Sequence, residues 1–193
     1  FYRGKYYLYF GAAPAVLVML PYRLVTGVDL PLAVAVFIFV YGGFLTSVAI
    51  WRGVRRRYFP ETGMLVMIAG VLVLGLASLG PVLMRRPHMW ELPIAAGYGF
   101  ALLALGALWR SLHAESSRPR MGWFAAAALA LGLAIASRPT YLLATPLLAV
   151  PLIAWWREAR AVPWRLALAA VVPLAIVGSG MAWHNYARFD HPL

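Results

Sequence analysis

The chain has 193 residues, 63% of them hydrophobic and only 12% charged, with 17 Lys plus Arg against 6 Asp plus Glu, a formal net charge of +11 and a mean hydropathy of +0.77. A soluble domain carries about 45–50% apolar and about 25% charged residues, so this composition excludes a water-soluble globule and a disordered chain. With no cysteine, a disulfide-stapled scaffold, thiol chemistry and a Cys-ligated metal go too.

A spanning helix needs about 20 apolar residues, which leaves room for roughly six or seven in this length. We read the chain as all-α: one transmembrane domain, a polytopic integral membrane helix bundle. In a soluble protein an excess of cations raises the question of nucleic acid. Here the cations fall between apolar stretches, which is the pattern of orientation signals with anionic lipid head groups as contacts, so the bilayer is the expected partner and no nucleic acid is.

In chain order, the sequence opens with Phe1-Tyr2-Arg3-Gly4-Lys5, has no initiator Met and no signal-peptide pattern, and stops at His191-Pro192-Leu193 just after an apolar stretch. It is expected to be a piece of a longer protein. Residues 1–29 form a juxtamembrane segment. Its apolar part, Phe10 to Gly27, is broken by Pro14 and Pro21 and carries Arg23, which suits an interfacial or re-entrant helix better than a span. Six spans follow, at about 30–51, 63–84, 92–109, 123–137, 140–156 and 166–183. Several end in Trp, the residue of the aromatic belt, and the Pro and Gly inside them are no veto, because neighbouring helices can satisfy freed backbone groups.

The stretch 123–156 has one charged residue, Arg138, in the run Ser137-Arg138-Pro139-Thr140. As one helix it would rise about 51 Å against a hydrocarbon core of roughly 30 Å, so it must fold back. Pro139 biases the residues before it away from helix and puts the tip there, with each arm barely long enough to span. Arg138 is then held at or slightly below the interface.

Orientation follows from the cations. The loops after the first, third and fifth spans hold Arg52, Arg55, Arg56, Arg57, Arg110, Arg118, Arg120, Arg157, Arg160 and Arg165, ten in all. The other side holds seven: Arg3, Lys5, Arg23, Arg85, Arg86, Arg138 and Arg188. The positive-inside rule puts the first set in the cytoplasm. Four polar clusters then share the outer face: Phe1 to Lys5, the loop Arg85-Arg86-Pro87-His88-Met89-Trp90-Glu91, Arg138 to Tyr141, and the tail 184–193 with His184, Arg188, Asp190 and His191. Cations, His and aromatics beside lipid suit an anionic lipid-borne ligand such as a polyprenyl phosphate, because arginine's planar fork matches phosphate oxygens.

Each group also has a plainer reading. Arg85 and Arg86 can snorkel to head groups, and Glu91, three residues after His88, can cap a helix start. His184, Asp190 and His191 match no metal signature, and no ligand set for a divalent cation is evident. There is no Walker loop, GxSxG, HExxH or dinucleotide fingerprint, and the spans contain no Asp, Glu, Lys or Arg, which disfavours an ion-coupled transporter.

The run Tyr6-Tyr7-Leu8-Tyr9-Phe10-Gly11-Ala12-Ala13-Pro14-Ala15, with the broken segment ending Leu24-Val25-Thr26-Gly27, resembles the periplasmic juxtamembrane helix of the GT-C glycosyltransferase superfamily. Bacterial members similar to protein mannosyltransferases and lipid A aminoarabinose transferases are the nearest in layout. That helix carries a His-Pro-Pro-like motif, where this chain has only Ala13-Pro14. The stretch from Gly132-Leu133-Ala134 to Ser137-Arg138-Pro139-Thr140 resembles the family's Gly-Leu-Ala hairpin, and Asn185-Tyr186-Ala187-Arg188-Phe189 the start of a later periplasmic segment.

The resemblance implies an inner-membrane enzyme of bacterial type that moves a sugar from a polyprenyl-phosphate-linked donor to an acceptor at the periplasmic face. Cations or a divalent metal would stabilise the departing phosphate. Arg138 is the first candidate for that contact, followed by Arg85, Arg86, His88 and Arg188. The family's catalytic acid lies in its first periplasmic loop, a region that would precede Phe1, and Glu91 is the best carboxylate present. A carrier or flippase for a lipid-linked anion and a non-catalytic membrane subunit are the alternatives.

Overall fold

The computed structural model describes residues 11–159 and 164–189. The Phe1 to Lys5 cluster, residues 6–10 of the juxtamembrane string, Arg160, Asp190 and His191 lie outside the described residues.

Every regular element among the described residues is helical. The first, α1 (Leu20–Thr26), is entered through a π turn, Ala15–Met19. Pro21 has no N–H to offer the preceding turn, and the wider π turn is closed by the Leu20 N–H on the Ala15 carbonyl. Gly27, at φ +76°, ends α1 with its N–H on the Arg23 carbonyl at 2.8 Å, a left-handed cap that favours glycine. The 12 residues of Ala15–Thr26 rise about 18 Å, too little to span. This agrees with the interfacial or re-entrant helix expected from the sequence.

Helix α2 (Leu32–Tyr58) runs past the expected end of the first span, so Arg52 and Arg55 to Arg57 lie on a helix and not in a loop. The second expected span is divided into α3 (Met64–Leu76) and the short α4 (Gly80–Arg85). The break falls before Pro81, which cannot donate to the preceding turn, and Ser78 Oγ accepts the freed Gly80 N–H at 3.2 Å. Helices α5 (Glu91–Leu112) and α6 (Ser117–Ser137) follow, and α6 takes in Arg118 and Arg120, which were expected in a loop.

After the tip at Arg138 comes a 3₁₀ stretch, Pro139–Leu148, then α7 (Ala149–Ala159), then α8 (Trp164–Phe189). Pro139 and Pro146 interrupt α-helical bonding in the 3₁₀ stretch, and its steeper rise of about 2.0 Å per residue lets a short arm reach across. Ten such residues and eleven α-helical ones cover roughly 36 Å, so the second arm of the hairpin has length to spare. Helix α8 continues through residues expected to be a tail, carrying His184 and Arg188 on its last turns.

Among the described residues five helical stretches are long and apolar enough to cross a membrane, one fewer than the six expected, because the second is broken. The chain is a multi-pass membrane protein. Leu143, Leu65 and Leu76 are 87%, 81% and 75% exposed, an arrangement that makes sense where the surrounding medium is hydrocarbon. With no hydrophobic drive between helices in lipid, packing rests on small residues that let backbones approach. Gly99 of α5 sits so close to α2 that a Cβ there would lie 2.7 Å from the Phe39 carbonyl oxygen. Ala95, Ala96, Ala104 and Ala107 of α5, and Ala127, Ala128 and Ala134 of α6, are buried. Residue pairs 39/99 and 46/106 make α2 and α5 parallel, while Ser111 beside Arg120 makes α5 and α6 antiparallel.

Candidate functional site

The hairpin tip is built by Pro139. It forces Arg138 into an extended conformation, φ −146° and ψ 118°, as a residue before proline requires. The Arg138 N–H still closes α6 on the Ala134 carbonyl at 2.8 Å, and its own carbonyl accepts the Tyr141 N–H at 3.1 Å. Ser137 is fully buried and donates its hydroxyl to the Leu133 carbonyl at 2.8 Å. The tip is therefore a saturated backbone turn with one half-buried guanidinium on it.

Two other chain segments clamp this turn. Gly11 lies against the carbonyls of Ala136 and Ser137, where no side chain would fit, and Pro14 behind it is fully buried. The Tyr141 ring covers Gly97 of α5, again where any side chain would collide. The juxtamembrane segment, the start of α5 and the hairpin tip thus meet at one end of the bundle. A shared apolar cluster of Leu30, Leu83, Leu92, Ala95 and Ala134, with Tyr141 packed against it, holds the α4–α5 loop at the same end.

In that loop Glu91 accepts the His88 N–H at 3.2 Å on Oε2, while the Glu91 N–H donates to the His88 carbonyl at 3.2 Å. These two bonds tie the loop to the first residue of α5, while Trp90, at the N-cap position, makes no side-chain cap. Arg85, Arg86 and His88 are exposed on the loop. No Asp or Glu of the described residues pairs with Arg85, Arg86 or Arg138. Arg188 is carried on the last turn of α8, whose Leu174 and Val177 pack on Gly132 of α6. Among the described residues no three His, Asp or Glu gather as a metal site.

Sequence reasoning missed a feature at the opposite end. A cavity of about 1010 Å³ opens between α2, α5 and α6, apolar along Leu45, Leu103, Leu129 and Leu133 and edged by Arg52, Arg56, Arg110, Trp109 and Trp123. The Arg110 guanidinium lies 4.5 Å from the Trp123 ring centre. The paired Trp-Arg at 109–110 and 51–52 was the available signal, but only the parallel docking of α2 on α5 makes these residues neighbours.

The chain matches no family model, no curated protein and no solved structure.

Proposed function

We propose that the protein is a membrane glycosyltransferase that takes a sugar from a polyprenyl-phosphate-linked donor at the tip end of the bundle, placed by the cation balance on the periplasmic side of a bacterial inner membrane. The observation that carries this reading is Arg138: a partly buried arginine on a tight turn, with no carboxylate partner among the described residues, which the sequence reading puts at the membrane interface. An arginine so placed is costly unless an anion meets it, and a lipid-borne phosphate is the anion available there. The sugar-transfer chemistry itself rests on the resemblance of the juxtamembrane and hairpin strings to the GT-C pattern.

In this reading the bond between the sugar's anomeric carbon and the phosphate oxygen breaks as the acceptor oxygen attacks, and the electron pair leaves with the phosphate. Arg138 stabilises that growing charge, from a position fixed before the reaction starts. Arg85, Arg86, His88 and Arg188 supply a cationic surround at the same end. The acceptor's proton goes to a carboxylate, which the family's pattern puts ahead of the juxtamembrane helix; Glu91 Oε2 already accepts the His88 N–H.

A carrier for a lipid-linked anion would want a cation-lined path through the bundle. Among the described residues the buried polar side chains are Ser47, Ser111 and Ser137, each bonded to a backbone carbonyl, which favours the enzyme reading.

The test is sugar transfer from a polyprenyl-phosphate donor by the intact protein in membranes. Arg138→Ala should lower turnover by about a hundredfold, the scale of losing one preorganised stabilising group, with Arg138→Lys recovering part of it and membrane insertion unchanged. Unchanged turnover in Arg138→Ala would remove Arg138 from the site.

A further inference from the structure

We infer that the cavity between α2, α5 and α6 is a binding site for an anionic phospholipid of the bilayer, with its head group on Arg52, Arg56 and Arg110 and its chains in the groove above them. The site is at the opposite end from the tip and does not depend on the sugar-transfer reading.

Three observations support this. The first is depth. Along α5 the lining runs from Phe100 to Arg110 and along α6 from Leu133 to Trp123, each about 15 Å of helix axis, or half of a hydrocarbon core of roughly 30 Å. The groove is therefore one leaflet deep, as a bilayer lipid requires and a path across the membrane does not. The second is polarity along that axis. Apart from Thr46, whose hydroxyl is tied to the Gly42 carbonyl at 2.8 Å, apolar side chains line the groove as far as Trp109 and Trp123, and the arginines come only at the end, so a chain and a charged head are ordered as they are in a lipid.

The third is how the arginines at this end are used. Arg120 is committed to Glu158 at 2.6 Å and to the Ala114 carbonyl, and Arg55 to the Thr62 carbonyl at 2.9 Å. Arg52, Arg56 and Arg110 have no carboxylate partner among the described residues, and these are the three that edge the cavity. Arg57, Arg118 and Arg157 are also exposed at this end but do not line it. Arg110, stacked on Trp123, is already oriented, so it loses less freedom when it meets a phosphate. Charge complementarity and chain length thus select a lipid with an anionic head over a neutral one.

The experiment measures lipid retention by the full protein, purified in detergent and titrated with vesicles of phosphatidylglycerol or of phosphatidylcholine, with intact-complex mass spectrometry as readout. Phosphatidylglycerol should be retained and phosphatidylcholine released. The triple variant Arg52→Gln, Arg56→Gln, Arg110→Gln should bind phosphatidylglycerol about a hundredfold more weakly, as expected from three arginines near a membrane surface. The control triple Arg57→Gln, Arg118→Gln, Arg157→Gln should bind as the parent does. Leu129→Trp, which fills the groove without changing charge, should also release the lipid. Equal losses in the two triples would mean diffuse attraction and overturn the site, as would equal retention of the neutral lipid. Retention of added polyprenyl phosphate but not of phosphatidylglycerol would overturn the assignment to a bilayer phospholipid.

Discussion

At the hairpin tip one arginine is partly buried on a turn that two other chain segments clamp; at the groove end three arginines stand exposed around an apolar cavity. Both ends combine cations, aromatics and tightly packed glycines, yet at the tip the chain packs closely on Gly11 and Gly97, whereas the groove opens to about 1010 Å³. The difference traces to what α5 meets. Near its start Gly97 and Gly99 accept Tyr141 and the α2 backbone, closing the space. Toward its end Trp109 of α5 and Trp123 of α6 line the open groove. A closely packed turn suits a fixed contact to one phosphate, and an open, one-leaflet groove suits a whole lipid.

The largest effect should come from a change that disturbs both ends at once. Gly99→Leu would drive a side chain into the Phe39 carbonyl and separate α2 from α5, at a cost of about 3 kcal/mol or more from overpacking. We expect a large fall in thermal stability of the purified protein, together with loss of lipid at the groove. A Tm equal to that of the parent would show that the two helices do not pack through Gly99.

A smaller effect separates the groove from the structural cations next to it. Arg120→Gln breaks the pair with Glu158 and the stacking on Trp155 at 5.2 Å. Glu158 is 59% exposed, so the loss should be about 1 kcal/mol, in the range for solvent-screened pairs. Tm should fall by only a few degrees, and phosphatidylglycerol retention should stay unchanged. If lipid retention fell as far as in the groove triple, the distinction between committed and groove-lining arginines would fail.

How much of this was legible in the sequence differs between the two ends for a physical reason. The turn at Arg138 could be read because it is local: a 34-residue stretch with a single charge, Arg138, is too long for one span, and Pro139 dictates where it folds. The short first helix was readable on the same grounds, from Pro14, Pro21 and Gly27. The break at Gly80-Pro81 was in plain view, but proline is tolerated inside membrane helices, so the dipeptide alone did not decide it. The 3₁₀ stretch was not anticipated, since its two prolines are equally compatible with kinked α-helix. The groove was not legible at all. Its arginines come from two helices far apart in sequence, and they share a cavity only because α2 and α5 run in the same direction.

We propose that the tip and the arginine-rich groove face opposite sides of one bilayer. Because the chain has no cysteine, single substitutions Arg86→Cys, beside the tip, and Arg118→Cys, beside the groove end, can be labelled in intact cells with an impermeant thiol reagent. Arg86→Cys should label from outside and Arg118→Cys only after the membrane is opened. Labelling of both from the same side would contradict the account, because α5 would then not cross.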